Sequence, residues 1–361
     1  MRNLWLLVCG LFAACVAAPD PMANVGSLLL VGGGLDNDTA PVWQRFLALA
    51  ARAGTPHVVV MTAATGPQDE EATDKSEALR TWAPGVAVEV VRRETSTADT
   101  VAAIERATAL FFTGGDQKRI LARYRPDGAA TPEWRAMQQL LARGGCIAGA
   151  SAGCAMMGVT MLEGGRSAQA LGIAAVAPDD GGEPAPLGPR LGPGMGFLPW
   201  GLTDSHFFER DRLGRLVAGL VARRERLGFG VGEDAALQID LATTTVECVS
   251  VSEVLLVDAA HASRDGNRWT GLRARVLRQG ERVSLRVPPG AAPAAVPTEV
   301  ARDVPVAEPG QNRQLASWRL FRQAEVAGAG VLRLAGDGYC VRAVADGSGG
   351  TVFAIDVGPA R

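Results

Sequence analysis

The chain has 361 residues, of which 47% are hydrophobic and 20% are charged, a composition typical of a globular protein with a large core. Its 36 Lys and Arg residues nearly balance its 38 Asp and Glu residues, which excludes the basic footprint of a nucleic-acid-binding protein. The six cysteines are widely spaced, with no CxxC motif and no Cys/His cluster. We therefore expect no metal site and no cofactor.

Residues 1–18 predict an export signal. Arg2 precedes an apolar run, LWLLVCGLFAA, that is too short to span a bilayer. The FAAC sequence that ends at Cys15 resembles a lipobox, in which the cysteine becomes the lipidated first residue. Ordinary cleavage after Ala18 is the alternative. Both routes predict an exported protein, either a periplasmic or cell-surface lipoprotein or a secreted form, with membrane contact only through a lipid anchor.

Buried strands alternate with helices from residue 27 onward. The strands are predicted at 27–34, 57–64, 87–93, 109–117 and 146–151, and the helices at 42–54, 100–107 and 132–145. This alternation predicts a parallel sheet that is covered on both faces. Three of the strands end in glycine-rich loops, and such sheets bind ligands at the carboxyl ends of their strands.

The second half of the chain is less regular. Residues 174–199 are rich in Pro, Gly and Asp and predict a loop or flap, and helical spacing returns at 212–224. A strand and turn at 228–240 and short strands over 246–288 follow. The domain is expected to span 25–287. A Pro/Ala-rich linker at 288–308 and an extension of unknown role at 309–361 complete the chain.

The segment GASAG places Ser151 between two glycines, where the strand at 146–151 meets the next helix. A serine on such a tight turn is a candidate nucleophile. The N–H of Ala152 is then the expected first donor to an oxyanion, and the loop that contains Gly115 is expected to supply the second. Cys154 is an alternative nucleophile, but its place within the helix should point its side chain elsewhere.

A serine nucleophile needs a base, and the chain has three histidines. His57 opens a buried strand on the far side of the predicted sheet, and His261 lies in a polar run. Elimination favours His206, which follows an apolar run and precedes a helix. Three arginines crowd the segment after it, in a pattern suited to bidentate capture of substrate carboxylates: Arg210, Arg212 and Arg215.

Five segments resemble a known family. VGGG, TGGDQ, GASAG, DSHFFERDRLGRL and GVGED occur here in the order found in cyanophycinase and its relative dipeptidase E. The resemblance covers roughly residues 25 to 285. It implies an α/β fold with a mostly parallel, doubly wound sheet, similar to the class I glutamine amidotransferase domain, to which this chain adds a C-terminal β-rich extension.

The resemblance also implies a function. It assigns Ser151 as nucleophile and His206 as base of an exported serine exopeptidase that releases β-aspartyl-arginine dipeptides from cyanophycin. The expected partner is thus a peptide or polymer rich in aspartate and arginine, and the sequence is compatible with a homo-oligomer. Six residues are implied to line the substrate site: Gln117, Asp204, Arg210, Arg212, Arg215 and Glu233.

The chain departs from the family where the third catalytic residue is expected. An alignment of EGGRSAQ on its glycines puts Gln169 in the place of the family's acid. Gln169 is therefore the predicted orienting partner of His206, with Glu163 as the first alternative and three further acids behind it: Asp179, Asp180 and Glu183. Two other functions stay open, an exported aspartyl dipeptidase of other specificity and a non-catalytic binding lipoprotein that has lost the acid.

Overall fold

The computed structural model describes residues 26–173, 186–250, 252–265, 268–286, 320–321, 324, 329–334, 339–345 and 352–359. Several sequence-based predictions lie outside these residues: the export signal with Cys15, the linker at 288–308, and the acids Asp179, Asp180 and Glu183. These stay predictions.

The described residues form strands and helices that we number along the chain. The strands are β1 (Ser27–Val31), β2 (His57–Met61), β3 (Ala87–Val91), β4 (Ala109–Phe112), β5 (Cys146–Ala150), β6 (Thr160–Gly164), β7 (Arg190–Pro193), β8 (Leu202–Asp204), β9 (Leu227–Val231), β10 (Ala236–Asp240), β11 (Thr245–Cys248), β12 (Val254–Asp258), β13 (Ser263–Asp265), β14 (Arg268–Leu277), β15 (Arg282–Ser284), β16 (Ala329–Leu334), β17 (Tyr339–Ala345) and β18 (Val352–Pro359). The α-helices are α1 (Ala40–Ala50), α2 (Gln68–Trp82), α3 (Thr97–Arg106), α4 (Gln117–Tyr124), α5 (Pro132–Ala142), α6 (Ala152–Ala155), α7 (Ser167–Ala170) and α8 (Leu213–Arg223).

The first sheet has the strand order β15-β11-β10-β1-β5-β4-β2-β3. Five neighbouring strands of this sheet are parallel: β1, β5, β4, β2 and β3. Strands β10, β11 and β15 extend the sheet beyond β1 in antiparallel pairing. Alternate residues of β1 point to opposite faces, so Leu29 packs in the core under α1 while Leu28 packs in the core that contains α3 and α5. Helices on both faces explain the continuous apolar runs of these strands.

The second sheet has the order β16-β17-β18-β14-β12-β9-β8, with β13 paired to β14. It is antiparallel except for the pair of β8 and β9, which run in parallel. Helix α8 packs Leu216 and Leu220 into the core of this sheet, together with Leu255 and Ile355. The C-terminal strands therefore belong to the same sheet as β8 and β9, because β18 pairs directly with β14.

Several predicted elements need correction. Helix α2 was not predicted, because its sequence QDEEATDKSEALRTW is so polar that only one narrow stripe is buried. Helix α4 was also missed and follows the glycines of the segment 109–117. Strand β7 lies inside the predicted flap and pairs with β6. The helix expected after Ser151 is the single turn α6.

Candidate active site

Ser151 lies directly after β5, between the carboxyl ends of the neighbouring strands β1 and β4. Its backbone angles, φ 53° and ψ −104°, fall in a region that non-glycine residues rarely adopt. Two backbone hydrogen bonds hold the strained turn. The Ser151 N–H donates to Val31 O of β1 at 3.0 Å, and Ser151 O accepts from the N–H of Cys154 at 3.0 Å. This is the sharp strand-to-helix turn that exposes a serine hydroxyl at the edge of a sheet.

The two glycines of GASAG are required by close backbone packing. A Cβ atom at Gly149 would collide with the backbone oxygen of Gly153, and a Cβ atom at Gly153 would lie 2.7 Å from the backbone oxygen of Phe112. Larger residues would push the turn away from β4 and β5. The motif therefore reflects the packing of the turn as well as the chemistry of its serine.

His206 comes from the second sheet, two residues beyond the end of β8. It also has a positive φ, 44°, and its N–H donates to Gly32 O at 2.7 Å. Its Nε2 lies 2.7 Å from Ser151 Oγ. The structure thus brings together the two residues that sequence analysis singled out as nucleophile and base.

The other ring nitrogen of His206 is bound by Glu233. His206 Nδ1 lies 2.6 Å from Glu233 Oε1, and Glu233 follows β9 by two residues. Because β8 and β9 are parallel neighbours with Asp204 opposite Gly230, their carboxyl ends deliver both side chains to one place. A proton on Nδ1 donated to the carboxylate leaves Nε2 free to accept from the serine hydroxyl.

The residue that binds His206 Nδ1 is Glu233 and not Gln169, the predicted orienting partner. Gln169 lies in α7, where its Nε2 donates to Pro186 O at 3.1 Å, and both ring nitrogens of His206 already have other partners. The alternative, Glu163, forms an ion pair with Lys118 at 3.2 Å. The prediction of Gln169 rested on the alignment of EGGRSAQ with the segment in which the family carries an acid. The signal for Glu233 was GVGED at the end of the strand beside β8, where sequence analysis predicted a substrate contact instead.

Burial is the main influence on His206 and lowers the pKa of its imidazole below the ordinary value. The hydrogen bond to Glu233 raises the pKa, whereas the positive charges of Arg210 and Arg212 lower it. The net effect keeps the ring neutral to lower pH, which suits a general base.

Two backbone segments lie next to Ser151 and are the candidate donors to an oxyanion. Ala152 is the first residue of α6, so its N–H has no acceptor within the helix. Gly114 lies against Ser151, since a Cβ atom built on it would be 3.5 Å from Ser151 Cβ, and Gly115 is the next residue. Because α6 is one turn long, it offers its amide groups rather than a sizeable helix dipole.

The predicted substrate residues divide into two groups. Asp204 is fully buried and accepts hydrogen bonds from Arg215 through both carboxylate oxygens, while Arg215 also donates to Gly165 O at 3.0 Å. The hydrogen bonds between Asp204 and Arg215 thus connect β8 to α8. Their predicted role in lining the substrate site is corrected to a role in supporting it.

Arg212, Arg210 and Gln117 lie nearer to solvent. Arg212 donates to Ser205 O at 2.6 Å and lies 3.3 Å from Asp204, and burial lowers its pKa to about 9, so it stays cationic at neutral pH. Arg210 is exposed. Gln117 begins α4, is half-buried, and donates to Leu162 O at 2.9 Å.

The remaining candidates lie elsewhere. His57 pairs with Glu89 at 2.8 Å at the start of β2, and His261 is exposed in a turn. Cys154 is fully buried, and burial raises the pKa of its thiol, which disfavours the reactive thiolate form. Within the described ranges, no group of three or more His, Cys, Asp or Glu residues could hold a metal ion. No helix in the described part of the chain is long and apolar enough to span a membrane.

Comparison with known families identifies the chain. The model of peptidase family S51 matches residues 28–244, more than half of the chain, and this range contains Ser151, His206 and Glu233. The chain belongs to peptidase family S51. The predicted enzyme class, a serine-type peptidase, is confirmed at the level of the family.

Two cyanophycinases are similar to this S51 chain. The cyanophycinase of Geminocystis herdmanii is 31% identical over 195 residues, which cover 51% of this chain and 64% of that protein. The cyanophycinase of a Nostoc species is 28% identical over 205 residues, covering 54% of this chain and 62% of the relative. The chain spans less than two thirds of the length of these relatives. The predicted resemblance to cyanophycinase is confirmed.

A solved structure supports the fold. The crystal structure of a peptidase from an acI-B1 actinobacterium matches with a TM-score of 0.50 at 18% sequence identity, covering 72% of this S51 chain and 97% of that one. The predicted α/β fold class is confirmed, and the second sheet described above adds to it.

Proposed function

We propose that this protein is an exported serine exopeptidase that hydrolyses cyanophycin or related aspartyl-linked peptides and releases dipeptides of the β-aspartyl-arginine type. The observation that carries the proposal is the continuous hydrogen-bond chain from Ser151 through His206 to Glu233, with distances of 2.7 and 2.6 Å. The similarity to two cyanophycinases supports the class of substrate.

In the first half of the reaction, Ser151 Oγ attacks the carbonyl carbon of the scissile amide. Its proton passes to His206 Nε2, and Glu233 stabilises the resulting imidazolium through Nδ1. The N–H groups of Ala152 and Gly115 bind the oxyanion of the tetrahedral intermediate. The imidazolium then protonates the leaving amine, the C–N bond breaks, and the acyl group remains as an ester on Ser151.

In the second half, water replaces the amine. His206 Nε2 takes a proton from the water as its oxygen attacks the ester carbonyl, and the second tetrahedral intermediate uses the same oxyanion donors. Collapse returns the proton to Ser151 Oγ and releases the carboxylate product. A histidine pKa below its ordinary value is suited to both half-reactions, because the ring must be neutral at the start of each.

Substrate carboxylates are bound by Arg210 and Arg212. Arg210 is exposed and Arg212 is held in place by Ser205 O, whereas Arg215 has no comparable freedom because Asp204 and Gly165 O occupy its guanidinium. Planar guanidinium groups bind carboxylates with two parallel hydrogen bonds. An aspartyl substrate supplies such carboxylates.

Export is part of the proposal and rests on residues 1–18. Mass spectrometry of the mature N-terminus tests it. A lipidated Cys15 is expected, and an unmodified start at Pro19 would remove the lipoprotein while leaving export in place. Retention of Met1 would remove both.

The function is tested by incubating purified protein with cyanophycin and, separately, with α- and β-aspartyl dipeptides. Release of β-aspartyl-arginine from the polymer is expected, and Ser151→Ala should abolish it. Cleavage of the dipeptides alone would instead favour an exported aspartyl dipeptidase. Binding of the polymer without cleavage would favour a non-catalytic lipoprotein, a rival whose main support was Gln169 and which is weakened by the carboxylate of Glu233 beside His206.

A further inference from the structure

The loop between β1 and α1, residues 32–39 with the sequence GGGLDNDT, covers the His206–Glu233 pair, and we call it the glycine loop. Gly32 O accepts the N–H of His206 at 2.7 Å. A Cβ atom on Gly33 would collide with the imidazole ring, and one on Gly34 would lie 3.2 Å from Glu233 Cβ. The glycine loop therefore forms a wall against both members of the pair.

Asp234, the residue after Glu233, fastens this loop. Its Oδ1 accepts the N–H of Asp36 at 3.1 Å and the hydroxyl of Thr39 at 3.0 Å. Its own N–H donates to Gly33 O at 3.0 Å. Asp234 has a φ of 53°, a left-handed conformation that Asp and Asn tolerate better than most other residues. One residue thus joins the turn that carries Glu233 to both ends of the glycine loop.

We propose that Asp234 is a positioning residue for the catalytic histidine, an inference that rests on the proposed serine-peptidase function. By holding the glycine loop against the imidazole, it keeps Nδ1 directed at Glu233 and Nε2 directed at Ser151. The loop is needed because the Glu233 side chain is 39% exposed, so water competes for its hydrogen bond to His206. Without the glycine loop against it, the His206 imidazole could rotate away from Glu233 and Ser151.

Two substitutions separate the hydrogen bonds of Asp234 from its backbone conformation. Asp234→Asn retains a side-chain oxygen for both bonds and tolerates the positive φ, so its kcat should stay within a few-fold of wild type. Asp234→Gly keeps the backbone conformation but removes the acceptor. Its kcat on cyanophycin should fall by about 10- to 100-fold with KM unchanged, the cost of a misplaced catalytic group.

The pH dependence of kcat/KM distinguishes a positioning role of Asp234 from a purely structural one, because loss of stability alone would not shift its acid limb. The charged groups that act on His206 are Glu233, Arg210 and Arg212, and all three remain in the variants. Loss of the Glu233 hydrogen bond removes the contact that raises the histidine pKa, so the acid limb of kcat/KM should shift to lower pH in Asp234→Gly. Partial unfolding would instead lower the amplitude of the profile without this shift.

Asp127→Gly is the matched control, since Asp127 is exposed and also has a positive φ of 50° in a turn away from the site. It should leave kcat and the acid limb unchanged. If Asp234→Gly behaves like this control, or if Asp234→Asn is as impaired as Asp234→Gly, the inference is overturned. Should Asp234→Gly melt below the assay temperature, Thr39→Val removes one of the two bonds, and an unchanged kcat there would also overturn it.

Ser151→Ala is assayed in parallel to distinguish two failures. Full activity in Ser151→Ala would overturn the proposed function itself. An inactive Ser151→Ala together with wild-type behaviour of Asp234→Gly would overturn only the role of Asp234.

Discussion

The turn at Ser151 and the pair of His206 with Glu233 are assembled in different ways. The turn is local: its glycines lie within two residues of the serine, and two of its hydrogen bonds close within residues 151–155. The pair is distant in sequence and depends on the parallel pairing of β8 with β9 and on the glycine loop of the first sheet. A short motif can therefore indicate the candidate nucleophile, whereas its candidate proton-transfer partners require the contact between two sheets.

The same contrast applies to the arginines. Arg215 and Asp204 are buried together and support the strand that carries His206, while Arg210 is exposed beside the same histidine. Three arginines that look equivalent in the sequence thus differ in burial and in partners. Burial decides which of them supports the strand and which stays exposed to solvent.

The largest effect should come from the turn. Ser151→Ala removes the nucleophile and leaves the small residue that the turn accommodates, so hydrolysis of cyanophycin should fall by at least about 10³-fold with folding intact. Steady-state kinetics and a thermal melt check both parts. Near-wild-type turnover by the alanine variant would contradict the serine mechanism.

The His206–Glu233 pair is broken by Glu233→Gln. The amide can favour the wrong tautomer and cannot stabilise the imidazolium, so kcat should fall by about 10³- to 10⁴-fold. Glu163→Gln is the matched control, since this carboxylate pairs with Lys118 and not with His206, and its kcat should stay within about two-fold because a partly exposed ion pair contributes little. If the control loses activity and Glu233→Gln does not, Glu163 is the true partner.

The support beneath the pair is tested by Asp204→Asn. The substitution leaves the buried guanidinium group of Arg215 and the partly buried one of Arg212 without their counter-charge, so the free energy of unfolding should fall by about 3–5 kcal/mol. Asp258→Asn, which breaks the partly exposed pair with Arg226, should cost about 1 kcal/mol or less. Urea denaturation of both variants measures the difference, and equal losses would contradict the assignment of Asp204 as a buried anchor.

The smallest effect concerns the electrostatics around His206. Because burial lowers the pKa of the imidazole, the acid limb of kcat/KM in the wild type should lie below pH 6.5, the ordinary value for histidine. The base acts only when neutral, so activity is lost as pH falls through this pKa. Arg210→Gln removes a positive charge that lowers the pKa, and the acid limb should therefore move slightly to higher pH. A shift in the opposite direction would contradict this placement of Arg210.

Much of the fold and part of the candidate site could be predicted from local sequence. The apolar runs of β1, β2 and β5 and the helical spacing of α5 are strong periodic signals, because the elements are buried and regular. Helix α2 escaped prediction because it is mostly solvated. Ser151 was found through its glycines, and His206 through the exclusion of two other histidines.

The sequence by itself determined the family, the glycine-flanked turn at Ser151 and the alternation of strands and helices, since these depend on residues near one another in the chain. Only the tertiary structure decided that Glu233 rather than Gln169 binds His206, that Asp204 and Arg215 pair with each other, and that the last strands join the second sheet. The physical reason is that a hydrogen bond between side chains needs its two atoms within about 3 Å. Neither strand pairing nor burial over long sequence separations can be read from a local pattern.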